Sequence, residues 1–403
     1  MLINLIKYAF SEGIAKLAPF FTTLYVAKNL SADEFGRYSL IFVVYELCFI
    51  LITFNIQATT RIDYFKLRRM RFLASKREHV LISLLLAFFL FIISLTFSSE
   101  DQYIFVILIL SSFVRCISIF HLSIFQCEKK SSSYVTSNLV FTISISIFTI
   151  IFVSLGFSYF SWLYSLLLAS LIQLLISSAL FSYKRTLLFL SFSRINLNSL
   201  KSTFIIALFF LPQALGWWLK LGADRWIIER KLGTATLGQY SLAFQFSSIL
   251  IIAATVMNLV LVPELNSCLK NSNLKRIKYI ITPACFLLVI LAILIYFVAS
   301  QVVVSFYNSD YLDSIIYLKL LVFPFLIQSF ILIFSNILYY LGSGPFMAKL
   351  ILLAFSVQIA VNYFYADKFG VNGMILISFF ANMFVLSLIV FKSIIELKAR
   401  LKM

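Results

Sequence analysis

YIITPACFLLVILAILIYFV, residues 279–298, is a run of 20 residues without one charged side chain. At about 1.5 Å of rise per residue, a helix of that length covers about 30 Å, the thickness of the hydrocarbon layer of a bilayer. Lys275, Arg276 and Lys278 stand just before it, where long basic side chains reach the headgroups. The run is continuously apolar. A transmembrane β-strand would instead alternate polar and apolar residues over a shorter stretch.

Runs of this kind recur outward in both directions. The expected spans lie near 5–27, 38–60, 79–97, 103–122, 134–155, 160–182, 203–222, 239–262, 279–298, 314–341, 347–365 and 371–391. The connectors near 98–102 and 156–159 are short, and each reads either as a turn or as a kink in a longer helix. Over 403 residues the chain is 62% hydrophobic and 12% charged, with a mean hydropathy of +1.01. Soluble domains have about 45–50% apolar and about 25% charged residues, so lipid replaces water as the main solvent here. In lipid every backbone donor and acceptor must be satisfied internally, which helices achieve. The expected fold is therefore an all-α polytopic membrane protein of about twelve transmembrane helices.

The net charge of +17 is explained by where the charges fall. With the N-terminus inside, the inner segments hold 22 of the 33 Lys and Arg residues and the outer loops hold 6. The inner set includes Arg61, Lys66, Arg68, Arg69, Arg71, Lys76, Arg77, Lys129, Lys130, Lys184, Arg185 and Arg194; the outer set is Lys28, Arg37, Arg225, Arg230, Lys231 and Lys368. Basic residues in short loops mark the cytoplasmic side, so both termini are expected in the cytoplasm of a bacterial inner membrane, with no nucleic-acid partner. The basic segment 61–77 sits near anionic headgroups and reads first as a topology determinant, ahead of a specific lipid or protein site. The first span is expected to act as an uncleaved signal anchor. Cys48, Cys116, Cys127, Cys268 and Cys285 show neither metal spacing nor a disulfide framework.

The sequence also repeats itself. Residues 29–42 read NLSADEFGRYSLIF and residues 231–244 read KLGTATLGQYSLAF, 202 positions apart. Leu30/Leu232, Gly36/Gly238, Tyr38/Tyr240, Ser39/Ser241, Leu40/Leu242 and Phe42/Phe244 are identical. Both copies are placed on the outer loop between the first and second spans of their half. Six spans per copy start each half on the same side, which makes a parallel repeat about an axis along the membrane normal. The expected division is 1–190 and 191–403, two six-helix bundles around a central cavity that opens to alternate sides.

Four stretches carry a resemblance to a known family: 28–40 (KNLSADEFGRYSL), 222–249 (GADRWIIERKLGTATLGQYSLAFQFSSI), 305–342 (SFYNSDYLDSIIYLKLLVFPFLIQSFILIFSNILYYLG) and 357–381 (VQIAVNYFYADKFGVNGMILISFFA). The chain resembles the Wzx-type O-antigen and polysaccharide transporters of the MOP exporter superfamily. One departure is Asp310, where the family usually has glycine before the tyrosine. The resemblance implies a MOP/MATE-like bundle pair acting as a flippase in polysaccharide and lipopolysaccharide O-antigen biosynthesis. Its implied cargo is an undecaprenyl-diphosphate-linked oligosaccharide repeat unit. Besides that cargo and the bilayer, the partners implied are a polysaccharide polymerase and a chain-length regulator.

Such a substrate asks for embedded cations opposite its diphosphate. Charges inside spans are costly and mark function by default. The candidates are Lys16, Arg115, Lys220 and Lys319, with Glu12 and Glu46 as candidates for proton or sodium coupling. Glu12 and Lys16 are i,i+4 neighbours and also read as a neutralised structural pair. Lys7 reads as snorkelling inward, and Lys220 equally as snorkelling outward or as part of a site. Pro19 and Pro212 interrupt backbone bonding in the first span of each half. Ser144, Ser146, Ser165 and Ser170 read as bonded to their own helices, and Trp162, Trp217, Trp218 and Trp226 as an interfacial belt.

No nucleophile elbow, phosphate-binding loop or metal cluster is present in the sequence, and His79 and His121 are its only histidines. No enzyme activity, cofactor or metal is expected. Two other readings remain: an ion-coupled small-molecule or drug exporter of the same superfamily, and a membrane polysaccharide polymerase. The polymerase reading suffers from the lack of an outer loop longer than about 20 residues.

Overall fold

The computed structural model is helical throughout the residues it describes, 2–181, 197–271 and 274–401. The first helix, α1 (Leu2–Asn29), contains Pro19 without breaking. Ser31 and Glu34 then cap α2 (Ala32–Thr53). The Glu34 carboxylate accepts from the Ser31 backbone N–H at 3.0 Å, and the Ser31 hydroxyl accepts from the Glu34 N–H at 3.3 Å. This reciprocal arrangement satisfies donors that a helix start leaves unpaired.

Phe54 and Asn55 take positive φ, 45° and 59°. They separate α2 from the short α3 (Ile56–Lys66), which α4 (Arg69–Ser94) follows. Next come α5 (Ser99–Cys127), α6 (Ser131–Ser154) and α7 (Ser161–Phe181). Both short connectors are turns rather than kinks. One spans residues 95–98, and the other turns at Gly156 with φ 84°.

After α8 (Leu197–Trp218) the helix widens into a π turn, Leu219–Ala223, before α9 (Asp224–Leu232), which stops at Gly233 with φ 96°. There follow α10 (Thr234–Ser247), α11 (Ile249–Lys270), α12 (Leu274–Leu294), a second π turn (Ile295–Ala299), α13 (Ser300–Phe306), α14 (Ser314–Tyr340) and α15 (Gly344–Leu401). The 58 residues of α15 would make a rod of about 87 Å if straight, far more than a bilayer accepts. Its helical run breaks at Gly370 (φ 58°, ψ −162°). Met347, Ile351 and Phe355 share one buried cluster with Val385 and Ile389, residues a straight helix would hold about 45 Å or more apart. It is therefore a hairpin of two passes.

Ten helices among the described residues are long and apolar enough to cross a membrane. Counting α15 twice and adding the 28-residue α1 makes twelve, the expected number. The expected boundary at 190/191 and the basic residues Lys184, Arg185 and Arg194 lie outside the described residues.

The contacts group the chain into two compact units. The first is Met1–Thr22 with Leu40–Leu215; the second is Thr23–Ser39 with Gly216–Met403. In the first unit α5 is central, packed on α3, α4 and α7. One of its cores joins Ile56, Phe72, Val80, Cys116, Phe120 and Ile124. Beside it, Lys76 is fully buried and donates to Asp63 (2.7 Å) and Thr59 (3.1 Å). Lys76 is thus not an inner-loop charge but half of a buried ion pair. Its thirteen-residue separation from Asp63 is closed by the fold between α3 and α4.

The second unit is built around α14, packed on α10, α11 and α15. It also contains residues 29–39 of the first repeated stretch and all of the second. Gly36 and Gly238 lie within α2 and α10, not in loop turns, because each helix starts only four residues earlier. A β-carbon on Gly36 would overlap the Thr234 carbonyl, and one on Gly238 would overlap the Ala32 carbonyl. Ala32 and Thr234 are themselves 202 positions apart, so the two overlaps are reciprocal. Ser241 donates to Ser39, its own counterpart, at 2.7 Å. The repeated stretches therefore cross one another about a local two-fold axis. Only glycine lets the two backbones approach this closely. Nearby, the Tyr311 hydroxyl lies 3.1 Å from both the Leu30 and Ser31 carbonyls, and Thr234 donates to Asp33.

Candidate functional site

Two of the cation clusters among the described residues, one in each unit, differ in chemical setting. In the first, Arg115 lies sixteen residues into α5, about 24 Å along its axis. Its guanidinium sits 3.8 Å from the centre of the Phe141 ring and 5.1 Å from that of Phe49. Its Nη1 donates to the Tyr45 hydroxyl at 2.9 Å. Tyr45, 2% exposed, is held edge-on against Trp162 with ring centres 5.4 Å apart. Aromatic faces attract a cation without neutralising it. The Nε of Arg115 is buried with no hydrogen-bond partner, so the group keeps an unused donor. Glu46, the neighbour of Tyr45 on α2, feels the charge of Arg115, but Arg115 gives its hydrogen bond to the tyrosine.

In the second unit the π turn after α8 carries Lys220 inward. A π turn adds a residue to the helical turn and shifts side chains off the regular face. Lys220 is 6% exposed; its Nζ donates to the Ser378 hydroxyl at 2.6 Å and lies 5.1 Å from the Phe355 ring centre. One turn on, Asp224 is buried and accepts from Asn362 at 2.8 Å and Gln358 at 3.5 Å. Arg225, also buried, stacks over Phe244 at 4.5 Å, with its Nε unpartnered. Lys220, Asp224, Tyr240, Phe244, Gln328 and Ser378 line a narrow cavity with room for about one water molecule. The side-chain carbonyl oxygens of Gln358, Asn362 and Asn382 are buried without partners around it. Two cations and one carboxylate leave this cluster formally positive.

The structure distributes the sequence candidates unevenly. Arg115 and Lys220 each anchor a cluster. Lys319, on α14, is half-buried and stands over Tyr296 at 5.7 Å. Lys16 is half-buried on α1, and the side chains of Glu12 and Lys7 lie outside the described residues. Arg225 is not an outer-loop charge, because the π turn and α9 continue the helix through it and bury it. Trp162 is 7% exposed and packs inside the first unit rather than in an interfacial belt. Ser165 and Ser170 do bond to their own helix, each at 2.6 Å, whereas the Ser146 hydroxyl is buried without a partner.

Reasoning from the sequence missed Asp224, Gln358 and Asn362. The signal was present for the first: Lys220 and Asp224 have i,i+4 spacing beside a Gly-Ala pair. The amides carry no charge and gave no such signal.

Comparison with known proteins places this architecture. The structure matches the inward-facing form of a multidrug resistance MATE-family transporter of the MOP superfamily, with TM-score 0.72, 15% identity, and coverage of 99% of this chain and 96% of that one. It matches an outward-facing structure of such a transporter at TM-score 0.64, 15% identity and coverage of 99% and 96%. A MOP-superfamily transporter from Pyrococcus furiosus, described as having a binding pocket of reverse polarity, matches at TM-score 0.64, 15% identity and coverage of 98% and 96%. At such identity the likeness speaks for the fold. No curated protein sequence matches the chain. The family profile "Polysaccharide biosynthesis protein" matches residues 1–268, about two thirds of the length, and the chain is therefore a member of that family, built on the fold of the MOP-superfamily transporters.

Proposed function

We propose that the protein is a flippase for a lipid-linked oligosaccharide, carrying an undecaprenyl-diphosphate-linked repeat unit across the bacterial inner membrane by alternating access. Membership in a polysaccharide biosynthesis family on a transporter fold supports the reading at the level of class. The observation that carries it to the substrate is Arg115. It is a membrane-depth guanidinium held by rings and a hydroxyl, with no carboxylate bonded to it. A diphosphate leaves water only where opposite charge replaces its hydration. The planar guanidinium fork suits phosphate oxygens. Lys220 and Arg225 add a second formally positive region, Lys16 and Lys319 are weaker contributors, and both termini lie in the cytoplasm.

A second reading is favoured by one feature. Asp224, buried among amides with unpartnered acceptor oxygens close by, is suited to coupling a proton or cation to export of a small cationic drug. It joins Glu12 and Glu46 as a candidate coupling group.

Deletion of the gene and complementation separates the readings. The flippase reading expects loss of surface glycan with accumulation of the lipid-linked repeat unit on the cytoplasmic side, restored by the wild-type gene. Normal glycan with altered resistance to cationic dyes would favour the exporter.

A further inference from the structure

The short helix α3 presents a face that no part of the described chain covers. It buries Ile56, Thr59, Thr60 and Asp63 at helical spacing. Its opposite face exposes Arg61, Ile62, Phe65 and Lys66, with Arg68 following and Arg71 at the start of α4. Phe65 is 74% exposed and Ile62 37%. The buried side is thus largely polar, and the outer side combines cations with an aromatic ring.

The charge on that face is uncompensated. Asp63 is the only acidic residue between positions 55 and 77, and it is consumed inside by Lys76 at 2.7 Å. None of Arg61, Lys66, Arg68 and Arg71 forms an ion pair within 4 Å among the described residues. Position follows from length. The 22 residues of α2 already span about 33 Å, so α3, beyond the break at Phe54 and Asn55, emerges at the headgroup level. An interfacial helix of this composition seats its apolar side chains at the acyl boundary while its cations meet anionic headgroups.

We propose that the outer face of α3 is a docking surface for anionic phospholipids of the surrounding bilayer. Phe65 and Ile62 enter the glycerol–acyl boundary, and Arg61, Lys66, Arg68 and Arg71 hold phosphate groups. Charge complementarity selects this occupant. A zwitterionic surface gives four unpaired cations no net attraction, and the pairing of cations with an exposed ring matches an anionic headgroup above an acyl boundary.

The test reconstitutes the full-length protein in nanodiscs of phosphatidylcholine with a minor fraction of phosphatidylglycerol. Re-extraction and mass spectrometry then give the ratio of the two lipids retained. Wild type should retain phosphatidylglycerol in excess of its bulk ratio, with each basic residue contributing on the order of fivefold at low salt. The variant Arg61→Gln/Lys66→Gln/Arg68→Gln/Arg71→Gln should fall to the bulk ratio, whereas Lys129→Gln/Lys130→Gln should retain most of the excess. Raising the salt on wild-type protein should erase the excess without any mutation, a reading that does not depend on how the variants fold. Equal retention by wild type and the quadruple variant, or an excess indifferent to salt, overturns the proposal. Selective capture of an acidic protein in place of lipid does so as well.

Discussion

Arg115 is half-buried and Lys220 buried, both within helices long enough to cross a bilayer, yet the two units hold them by different physics. Arg115 rests between Phe141 and Phe49 and gives one hydrogen bond to Tyr45. Lys220 shares its cluster with a carboxylate, a hydroxyl and several amides. Ring faces and a phenol hold Arg115 without neutralising it, with the Glu46 carboxylate near but not bonded to it; Lys220 has Asp224 one turn along its own helix. The first setting leaves the Nε of Arg115 without a hydrogen-bond partner. The second is balanced internally, apart from Arg225.

The repeat sharpens the contrast. Gly36/Gly238 and Ser39/Ser241 meet in symmetric contacts. Carried back along the same offset, however, Lys220 and Asp224 fall opposite Ala18 and Thr22. The backbone crossing is shared by both copies, and the charged chemistry belongs to one.

The largest effect should come from unbalancing the second cluster. Asp224→Ala leaves two buried cations without their carboxylate, a loss on the order of 3–5 kcal/mol. It should appear as a marked drop in the thermal midpoint of the detergent-solubilised protein. Adding Lys220→Ala to the same chain should recover part of that loss. A double variant no better than Asp224→Ala would show that the two groups do not balance one another.

Next in size are the crossing glycines. Gly36→Ala and Gly238→Ala should each cost about 1–3 kcal/mol by overpacking against backbone. The two losses should be similar, because their surroundings are reciprocal. A large cost at one and none at the other in the same melting assay would break the symmetry argument.

Smaller still is the stability change at the first cluster. Arg115→Gln removes cation–ring contacts worth about 0.5–2 kcal/mol, and protein abundance should stay close to wild type. Tyr45→Phe deletes a single hydrogen bond and should cost only about 0.5–1.5 kcal/mol. If Arg115→Gln melts as early as Asp224→Ala, Arg115 is a structural post and the contrast fails.

Much of the fold was legible because a bilayer imposes a simple length rule. Runs such as 279–298 and 314–341 had to be helices, whereas the connectors near 98–102 and 156–159 read equally as turns or kinks until the positive φ of Gly156 and the break at 95–98 showed turns. The repeat was legible because six side chains recur at one offset. What stayed hidden depended on local backbone or on distant partners. Arg225 read as a loop charge because the π turn at Leu219–Ala223 continues the helix where a regular pattern would end it. Lys76 read as a loop cation because its partner, Asp63, lies across the fold between α3 and α4. Gln358 and Asn362 were passed over because neutral amides inside spans draw no notice until a carboxylate is found beside them. Both repeated stretches read as matching outer loops; that they touch each other at Gly36 and Gly238 depends on how α2 packs against α10.

The central claim is that Arg115 serves a phosphate-bearing substrate. Proteoliposomes containing wild-type protein, Arg115→Gln or Lys129→Gln/Lys130→Gln can be loaded with a fluorescent undecaprenyl-diphosphate oligosaccharide, and the fraction reaching the opposite leaflet followed over time. The account predicts rapid translocation by wild type and by the inner-loop double variant, and at least a tenfold slower rate, on the order of 1.4 kcal/mol or more, for Arg115→Gln at equal reconstituted protein. Translocation by Arg115→Gln at the wild-type rate would contradict it.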